Sequence, residues 1–271
     1  MSDARLAAFL ASGAGDVLNA LRAQVDGGTF PGGMDELRAA GDAAAQAYIA
    51  AALTEARPRD AVLSEEAIDD AARLAADRVW IVDPLDGTRE FAERHEAGWR
   101  DDFAVHVALW CRGAGLTDGA VALPGRGLVL QSAAPVQPTD ATVLDVLARR
   151  RPLRLAASRS RPPAIVDRLA ARDDVELVPM GSTGAKVAAV LEGAVDAYVH
   201  AGGQYEWDSA APVAVAGAAG FVATRLDGSA LIYNKEDTWS PDLVVCHPAL
   251  EGHLRAMLEA VSADDDRGAG A

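Results

Sequence analysis

The sequence predicts an α/β (α+β) fold with two sub-domains, on three observations. The first half opens with two stretches of helical hydrophobic spacing, and short apolar runs separated by turn residues then follow one another like a β-meander. The second half alternates apolar runs with helical patterns, which favours an α/β layer. Between the halves, residues 132 to 153 are rich in Pro, Ala and Arg. We therefore predict an N-terminal α+β domain over residues 1–140 and a C-terminal α/β domain over residues 150–262.

The individual elements follow from the spacing of apolar residues. In the first half, helices are predicted at 4–25 and about 36–55, and strands at 61–63, 79–82, 104–110, 120–123 and 128–131. In the second half, strands are predicted at 153–157, 175–179 and 197–200, with helices at 164–171 and 185–192. The tail from 263 to 271, rich in Asp and Gly, predicts disorder.

Composition limits the classes of function. The formal net charge is -15, and Lys186 and Lys235 are the only lysines, which argues against a nucleic-acid polymer as partner. An anionic substrate would need a local cationic site. The sequence shows no signal peptide or membrane span, and Cys111 and Cys246 have no metal-site spacing, so we predict a cytoplasmic protein with reduced thiols. A monomer and a homodimer both remain open.

Acidic residues follow several of the predicted strands. In VWIVDPLDGTREF, Asp83 and Asp86 come directly after the strand at 79–82, and on this segment alone they could simply shape a turn. LSEE places Glu65 at the end of another strand, and YEWDSAAP places Asp208 where a helix begins. Carboxylates gathered from three segments repel one another unless a cation lies between them. Ligands that are all oxygen indicate Mg2+ rather than zinc.

Such a site suits phosphate-ester hydrolysis. Two Mg2+ ions can activate a water on one side and hold the leaving oxygen on the other. Gly87 and Thr88 begin the helix after the turn, and its free backbone N–H groups can face an anion. Phosphatases with an aspartyl nucleophile also have an Asp-rich turn after a strand, but they need Asp-x-Asp. The three-residue spacing of Asp83 and Asp86 therefore argues against a covalent aspartyl mechanism.

Three segments in order, LSEE, DPLDGT and EWDSAAP, resemble the signatures of the lithium-sensitive, magnesium-dependent inositol monophosphatase superfamily. SRSR at 158–161 and GSTGAK at 181–186 are most similar to the CysQ branch of 3'-phosphoadenosine 5'-phosphate phosphatases, of the actinobacterial type. The resemblance implies a layered αβαβα sandwich with the active site between two sub-domains. It also implies Mg2+ as cofactor, inhibition by Li+, and a role in sulfate assimilation.

The resemblance assigns roles to individual residues. One Mg2+ would be held by Glu65, Asp83 and the backbone carbonyl of Leu85, and the second by Asp83, Asp86 and Asp208. Thr88 and Asp42 would orient and deprotonate the attacking water. Glu66 would either support Glu65 or contact a third ion through water.

Substrate contacts are also assigned by resemblance. Beside Gly87, Thr88 and Asp208, the candidates for the 5'-phosphate and the nucleoside are Arg159, Arg161, Ser182 and Lys186. Two departures from the family pattern bear on these assignments: no Thr shortly precedes Asp42 in ELRAAGDAAAQ, and the Ser-to-Lys spacing in GSTGAK is one residue longer.

The sequence therefore predicts hydrolysis of the 3'-phosphate of 3'-phosphoadenosine 5'-phosphate to AMP and phosphate, by a metal-activated water. The nearest alternative is an inositol-1-phosphate or fructose-1,6-bisphosphate phosphatase with the same site. Another is a nucleotide-binding regulator without turnover, which would have no need of Thr88 and Asp42. The five histidines show no ligand spacing, and His106, within an apolar strand, is predicted to be structural.

Overall fold

A computed structural model describes residues 1–140, 143–159 and 162–268, and for residues 263–268 it describes the backbone alone. Its helices are α1 (Asp3–Asp26), α2 (Met34–Ala56), α3 (Thr88–Phe91), α4 (Val143–Leu147), α5 (Ala164–Ala170), α6 (Thr183–Leu191), α7 (Glu206–Ala218) and α8 (Glu251–Gly268). Its strands are β1 (Ala61–Ser64), β2 (Arg78–Asp86), β3 (Arg94–His95), β4 (Gly98–Trp99), β5 (Ala104–Cys111), β6 (Gly115–Leu123), β7 (Leu128–Gln131), β8 (Leu153–Ser158), β9 (Val175–Met180), β10 (Ala197–Tyr205), β11 (Val222–Thr224) and β12 (Trp239–Cys246).

The first sheet has the strand order β1-β2-β5-β6-β7. Its meander β2, β5, β6 and β7 is antiparallel, as the β-meander pattern predicts, whereas β1 runs parallel to β2, which that pattern did not indicate. In this parallel pair Ser64 lies opposite Val82. The residues that follow, Glu65 and Asp83, therefore emerge at the same edge of the sheet.

The second sheet has the order β11-β12-β10-β8-β9. β8, β9 and β10 are parallel, as the alternation of strands and helices predicts. β11 and β12 add an antiparallel edge that the sequence analysis did not identify. The short hairpin of β3 and β4 was likewise not predicted.

Helices form three layers around the two sheets. The outer face of the first sheet contributes Trp80 and Val82 to a core shared with α1 and α2, whereas Val79 and Ile81 point inward toward α6 and α7. α6 and α7 thus lie between the sheets, and α5 and α8 cover the far face of the second sheet. β2 is buried on both faces, and its sequence is therefore a continuous apolar run. The predicted αβαβα sandwich is confirmed.

Two further expectations concern the chain's ends and its relation to membranes. The backbone of α8 continues to Gly268, while 269–271 lie outside the described residues, and disorder of the tail from residue 263 stays a prediction. Across the described part of the chain, no helix is both long enough and apolar enough to cross a bilayer. The division at residues 140–150 stays a prediction.

Candidate metal-dependent active site

Three carboxylates meet where β2 ends and α7 begins. Asp83, Asp86 and Asp208 each offer an oxygen, and these oxygens all lie within 4.8 Å of one another. The pairing of β2 with β5 shifts register between Asp83 and Asp86, and this irregularity turns both side chains toward the same place. Asp208 lies in the first turn of α7, where its Oδ2 accepts the backbone N–H of Tyr205 at 2.6 Å. Two of the carboxylates therefore come from the first half of the chain and one from the second.

The electrostatics of this cluster favour a cation. Burial, followed by the charge of Asp86, raises the pKa of Asp83 well above its ordinary value. The same two causes raise the pKa of Asp208 to about 7. Carboxylates resist ionisation in this way because their negative charges are close together and poorly hydrated. A hard divalent ion removes that repulsion, and the all-oxygen donor set fits Mg2+.

Glu65 follows β1 and lies next to Asp83. Although the residue is exposed, its carboxyl is hydrogen-bonded to that of Asp83, and desolvation raises its pKa to about 7. A hydrogen bond between two carboxyl groups needs a proton on one of them. A metal ion between Glu65 and Asp83 would supply positive charge in place of that proton.

Thr88 and Asp42 form a second polar pair beside the cluster. Thr88 Oγ1 lies 3.3 Å from Asp42 Oδ1 and 3.1 Å from the Leu85 carbonyl oxygen, and its single proton can serve one of these acceptors at a time. Desolvation and the charge of Glu66 raise the pKa of Asp42 to about 6. Asp42 comes from α2, so the outer helical layer contributes to the site.

His106 is a neighbour of the cluster whose place there was not predicted. It lies opposite Asp83 in β5 and is fully buried, with Nε2 3.2 Å from Asp86 Oδ2. Its Nδ1 faces the Trp207 carbonyl oxygen at 3.3 Å, and since a carbonyl only accepts, Nδ1 carries the proton of this contact. Complete burial lowers the pKa of the imidazole. His106 thus donates to the first turn of α7, while its buried Nε2 faces Asp86 without a hydrogen-bond partner, and the apolar pattern of β5 gave no sign of this.

The N-terminus of α6 also contacts the cluster. The backbone N–H of Gly184 donates to Asp86 Oδ2 at 2.9 Å. A Cβ at Gly184 would lie 2.3 Å from His106 Nε2, so only glycine permits this approach. Ser182 caps the helix by accepting the N–H of Ala185 at 2.9 Å, and it has a positive φ of 28°, which is uncommon for a residue with a side chain.

The predicted substrate-binding residues have different surroundings. Arg159 is ion-paired with Glu90 at 3.1 Å and with Asp102. Lys186 is only 5% exposed, and its Nζ donates to the Gly181 carbonyl oxygen at 2.9 Å. The Lys186 ammonium is therefore largely shielded from solvent. Arg161 lies outside the described residues. These assignments remain predictions.

The raised pKa values predict how the metal-free protein responds to pH. Asp42, Glu65 and Asp208 have pKa values of about 6 to 7 in the folded protein, above those of an unfolded chain, so they stabilise the fold below about pH 4 and lose that contribution as the pH rises through 7. With chelator present, we expect the melting temperature to fall by several degrees between pH 5 and pH 8. Added Mg2+ should raise it far more at pH 8 than at pH 5.

Thermal unfolding at both pH values, with and without Mg2+, measures this effect. Asp208→Asn, which removes one of the titrating groups, should flatten the profile of the chelated protein. A melting temperature that is constant or rises from pH 5 to pH 8 in chelator would contradict the assignment.

A layered αβαβα fold with oxygen ligands from both halves between its sheets is that of the metal-dependent phosphatases. The chain belongs to the inositol monophosphatase family, which it matches over residues 5–262. It is 47% identical over 274 residues to the 3'-phosphoadenosine 5'-phosphate phosphatase of Mycobacterium leprae, covering 95% of each chain. It is 49% identical over 242 residues to the protein of that name from Mycobacterium tuberculosis, covering 86% of this chain and 84% of the relative.

A solved structure gives the same result for the fold. The crystal structure of CysQ from Bacteroides thetaiotaomicron, described as a bacterial member of the inositol monophosphatase family, superposes with a TM-score of 0.72. It is 28% identical, and the match covers 90% of this chain and 97% of the other. The family membership implied by LSEE, DPLDGT and EWDSAAP is therefore confirmed.

Proposed function

We propose that this protein is a Mg2+-dependent phosphatase that removes the 3'-phosphate of 3'-phosphoadenosine 5'-phosphate and releases AMP. The observation that carries the proposal is the carboxylate cluster of Asp83, Asp86 and Asp208, in a chain nearly half identical to two mycobacterial proteins named for that activity. A nucleotide with two phosphates is a small anionic substrate, which agrees with the need for local positive charge on a protein of net charge -15. A cytoplasmic location stays a prediction.

The metal would be held by residues from both halves of the chain. Asp83, Asp86 and Asp208 are the central ligands, and Glu65 and the Leu85 carbonyl complete the proposed set for two ions. Bound Mg2+ supplies positive charge that stabilises the transition state and lowers the pKa of a water molecule. The mutual repulsion of the carboxylates supports this assignment, because their ionisation at neutral pH is unfavourable without a cation.

The protein's own groups would position and deprotonate the attacking water. Thr88 lies within hydrogen-bond range of Asp42, and a carboxylate with a pKa of about 6 is mostly ionised at neutral pH yet still basic enough to take a proton. In the proposed arrangement the water donates to Thr88 Oγ1, while the Thr88 hydroxyl donates to Asp42. Gly87 and Thr88 begin α3, and their backbone N–H groups would contact the phosphate.

The 5'-phosphate would be bound on the other side of the site. Arg159 and Ser182 are proposed contacts, since Arg159 joins the end of β8 to Glu90 and Asp102, and Ser182 begins α6 next to Gly87. A phosphate at this position would compete with Glu90 for the Arg159 guanidinium. Lys186 is buried, so its ammonium would attract the 5'-phosphate through its charge rather than through a direct contact.

A phosphate-release panel tests the choice of substrate. It compares 3'-phosphoadenosine 5'-phosphate, its sulfated analogue, inositol 1-phosphate and fructose 1,6-bisphosphate, each with Mg2+ and with or without Li+. We expect the highest kcat/KM for 3'-phosphoadenosine 5'-phosphate and inhibition by Li+. Preference for inositol or fructose phosphates would contradict the nucleotide assignment, and tight nucleotide binding with no turnover would indicate a regulator.

A further inference from the structure

Two exposed aromatic side chains lie beside the acidic cluster. Tyr205 is 45% exposed and Trp239 is 41% exposed, which is unusual for rings of this size at the end of a sheet. The rings meet nearly at right angles, at 80°, with centroids 5.5 Å apart. Tyr205 also stacks on Trp207, at 4.7 Å and 14°. We name the corner between the Tyr205 and Trp239 rings the aromatic corner.

The aromatic corner lies on the face of the second sheet that points toward the first. In β12, Leu243 and Val245 belong to the core between the sheets, and the alternation of a strand puts Trp239 on the same face. β10 contains one extra residue between its pairings with Asp242 and Ser240, and this bulge brings Tyr205 opposite Trp239. Without the bulge, Tyr205 would point to the opposite face.

The backbone of β10 leaves room for the Trp239 ring at Gly203. Gly203 within the bulge has φ of 94°, and a Cβ there would lie 1.5 Å from the Trp239 ring. The Trp239 indole therefore lies against a position that only glycine can occupy. Gly203 covers part of the indole, the Tyr205 ring meets it at the corner, and 41% of the residue stays exposed to solvent.

The aromatic corner is connected directly to the metal cluster. The backbone N–H of Tyr205 donates to Asp208 Oδ2 at 2.6 Å. Asp208 is one of the three clustered carboxylates, so the Tyr205 ring lies within the reach of one nucleotide whose phosphate is at the cluster. Exposed aromatic faces bind planar bases by stacking, and this contact does not depend on which hydrogen-bonding groups the base carries.

We propose that the aromatic corner of Tyr205 and Trp239 is the subsite for the purine base of the substrate, and that it selects nucleotides over sugar and inositol phosphates. This inference rests on the proposed function. Inositol and fructose phosphates have no π face, so the corner gives them no comparable contact. Stacking contributes roughly 1–3 kcal/mol for each base, which is about a 5- to 150-fold difference in affinity.

The test compares ligands with and without a base. Tyr205→Leu and Trp239→Leu are assayed with the bisphosphate nucleotide, and the inhibition constants of AMP and ribose 5-phosphate are measured for each variant. We expect the KM for the nucleotide and the inhibition constant of AMP to rise about 5- to 150-fold, with ribose 5-phosphate unaffected. Trp239→Phe should restore most of the affinity. Phe9→Leu, which alters an exposed ring on α1, is the matched control.

The outcomes separate this inference from the proposed function. If the wild-type protein does not hydrolyse the nucleotide, both are overturned. If it does and the folded leucine variants keep the wild-type KM and AMP inhibition, only the purine subsite is overturned. Equal loss of AMP and ribose 5-phosphate affinity would also overturn it, as would a change in oligomeric state without a change in KM.

Discussion

Replacing Asp86 with asparagine is expected to reduce kcat/KM by roughly 100-fold or more while leaving the fold intact. The side chain lies in the metal cluster and accepts the N–H of Gly184, and asparagine keeps a carbonyl oxygen for that hydrogen bond. What is lost is one negative charge on the proposed metal ligands. A metal site contributes several kcal/mol to the transition state, and each 1.36 kcal/mol is a factor of ten.

The measurement is phosphate release over a range of Mg2+ concentrations, with melting temperature as the check on folding. Asp35→Asn is the matched control, because Asp35 is an exposed residue of α2 whose ion pair with Arg38 contributes little. It should behave as wild type. Near wild-type turnover of Asp86→Asn at limiting Mg2+ would show that Asp86 is not a metal ligand.

Replacing Thr88 with valine is expected to lower kcat by about 10²- to 10⁴-fold, the range typical of lost proton transfer. Valine has nearly the same shape but cannot pass a proton to Asp42, whose carboxylate lies 3.3 Å from the Thr88 hydroxyl. Since Thr88 contributes no carboxylate to the cluster, the Mg2+ concentration for half-maximal activity should stay close to the wild-type value.

Thr88→Ser tests the role of the hydroxyl by keeping it and removing the methyl group. The serine variant should retain most of the activity, whereas a merely structural role of the methyl group would leave valine active and make serine, which lacks the methyl, the harmful variant. If valine instead raised the Mg2+ requirement with kcat preserved, Thr88 would belong to the metal site rather than to the proton-transfer pair.

The sequence predicted the elements around the site because their signals are local. β2 is buried on both faces, and its apolar run followed by the Asp86-Gly87 turn marks a strand without any knowledge of its neighbours, although the strand passes through Pro84 and ends at Asp86 rather than at residue 82. The strand pairing was harder to predict. β1 pairs with β2 in parallel across a connection, and this arrangement, which brings Glu65 beside Asp83, is invisible to hydrophobic periodicity.

Other features of the site depend on contacts distant in sequence. His106 sits in an apolar strand, and its contact with Asp86 arises from the antiparallel pairing of β5 with β2 and the register shift between Asp83 and Asp86. Lys186 is buried because α6 packs between the two sheets, and neither its scarcity as a lysine nor the family resemblance indicated this. Asp208 was singled out as an acidic residue at the start of a helix, but its approach to Asp83 has no local signal because it depends on how the two halves of the chain meet.

The most direct test of the central claim is phosphate release from 3'-phosphoadenosine 5'-phosphate by chelator-treated protein, followed by titration with Mg2+ and identification of the nucleotide product. We expect no turnover in chelator, saturable recovery with Mg2+, and AMP as the product. Turnover at an unchanged rate in excess chelator would contradict the metal-dependent mechanism, and a product that keeps its 3'-phosphate would contradict the proposed reaction.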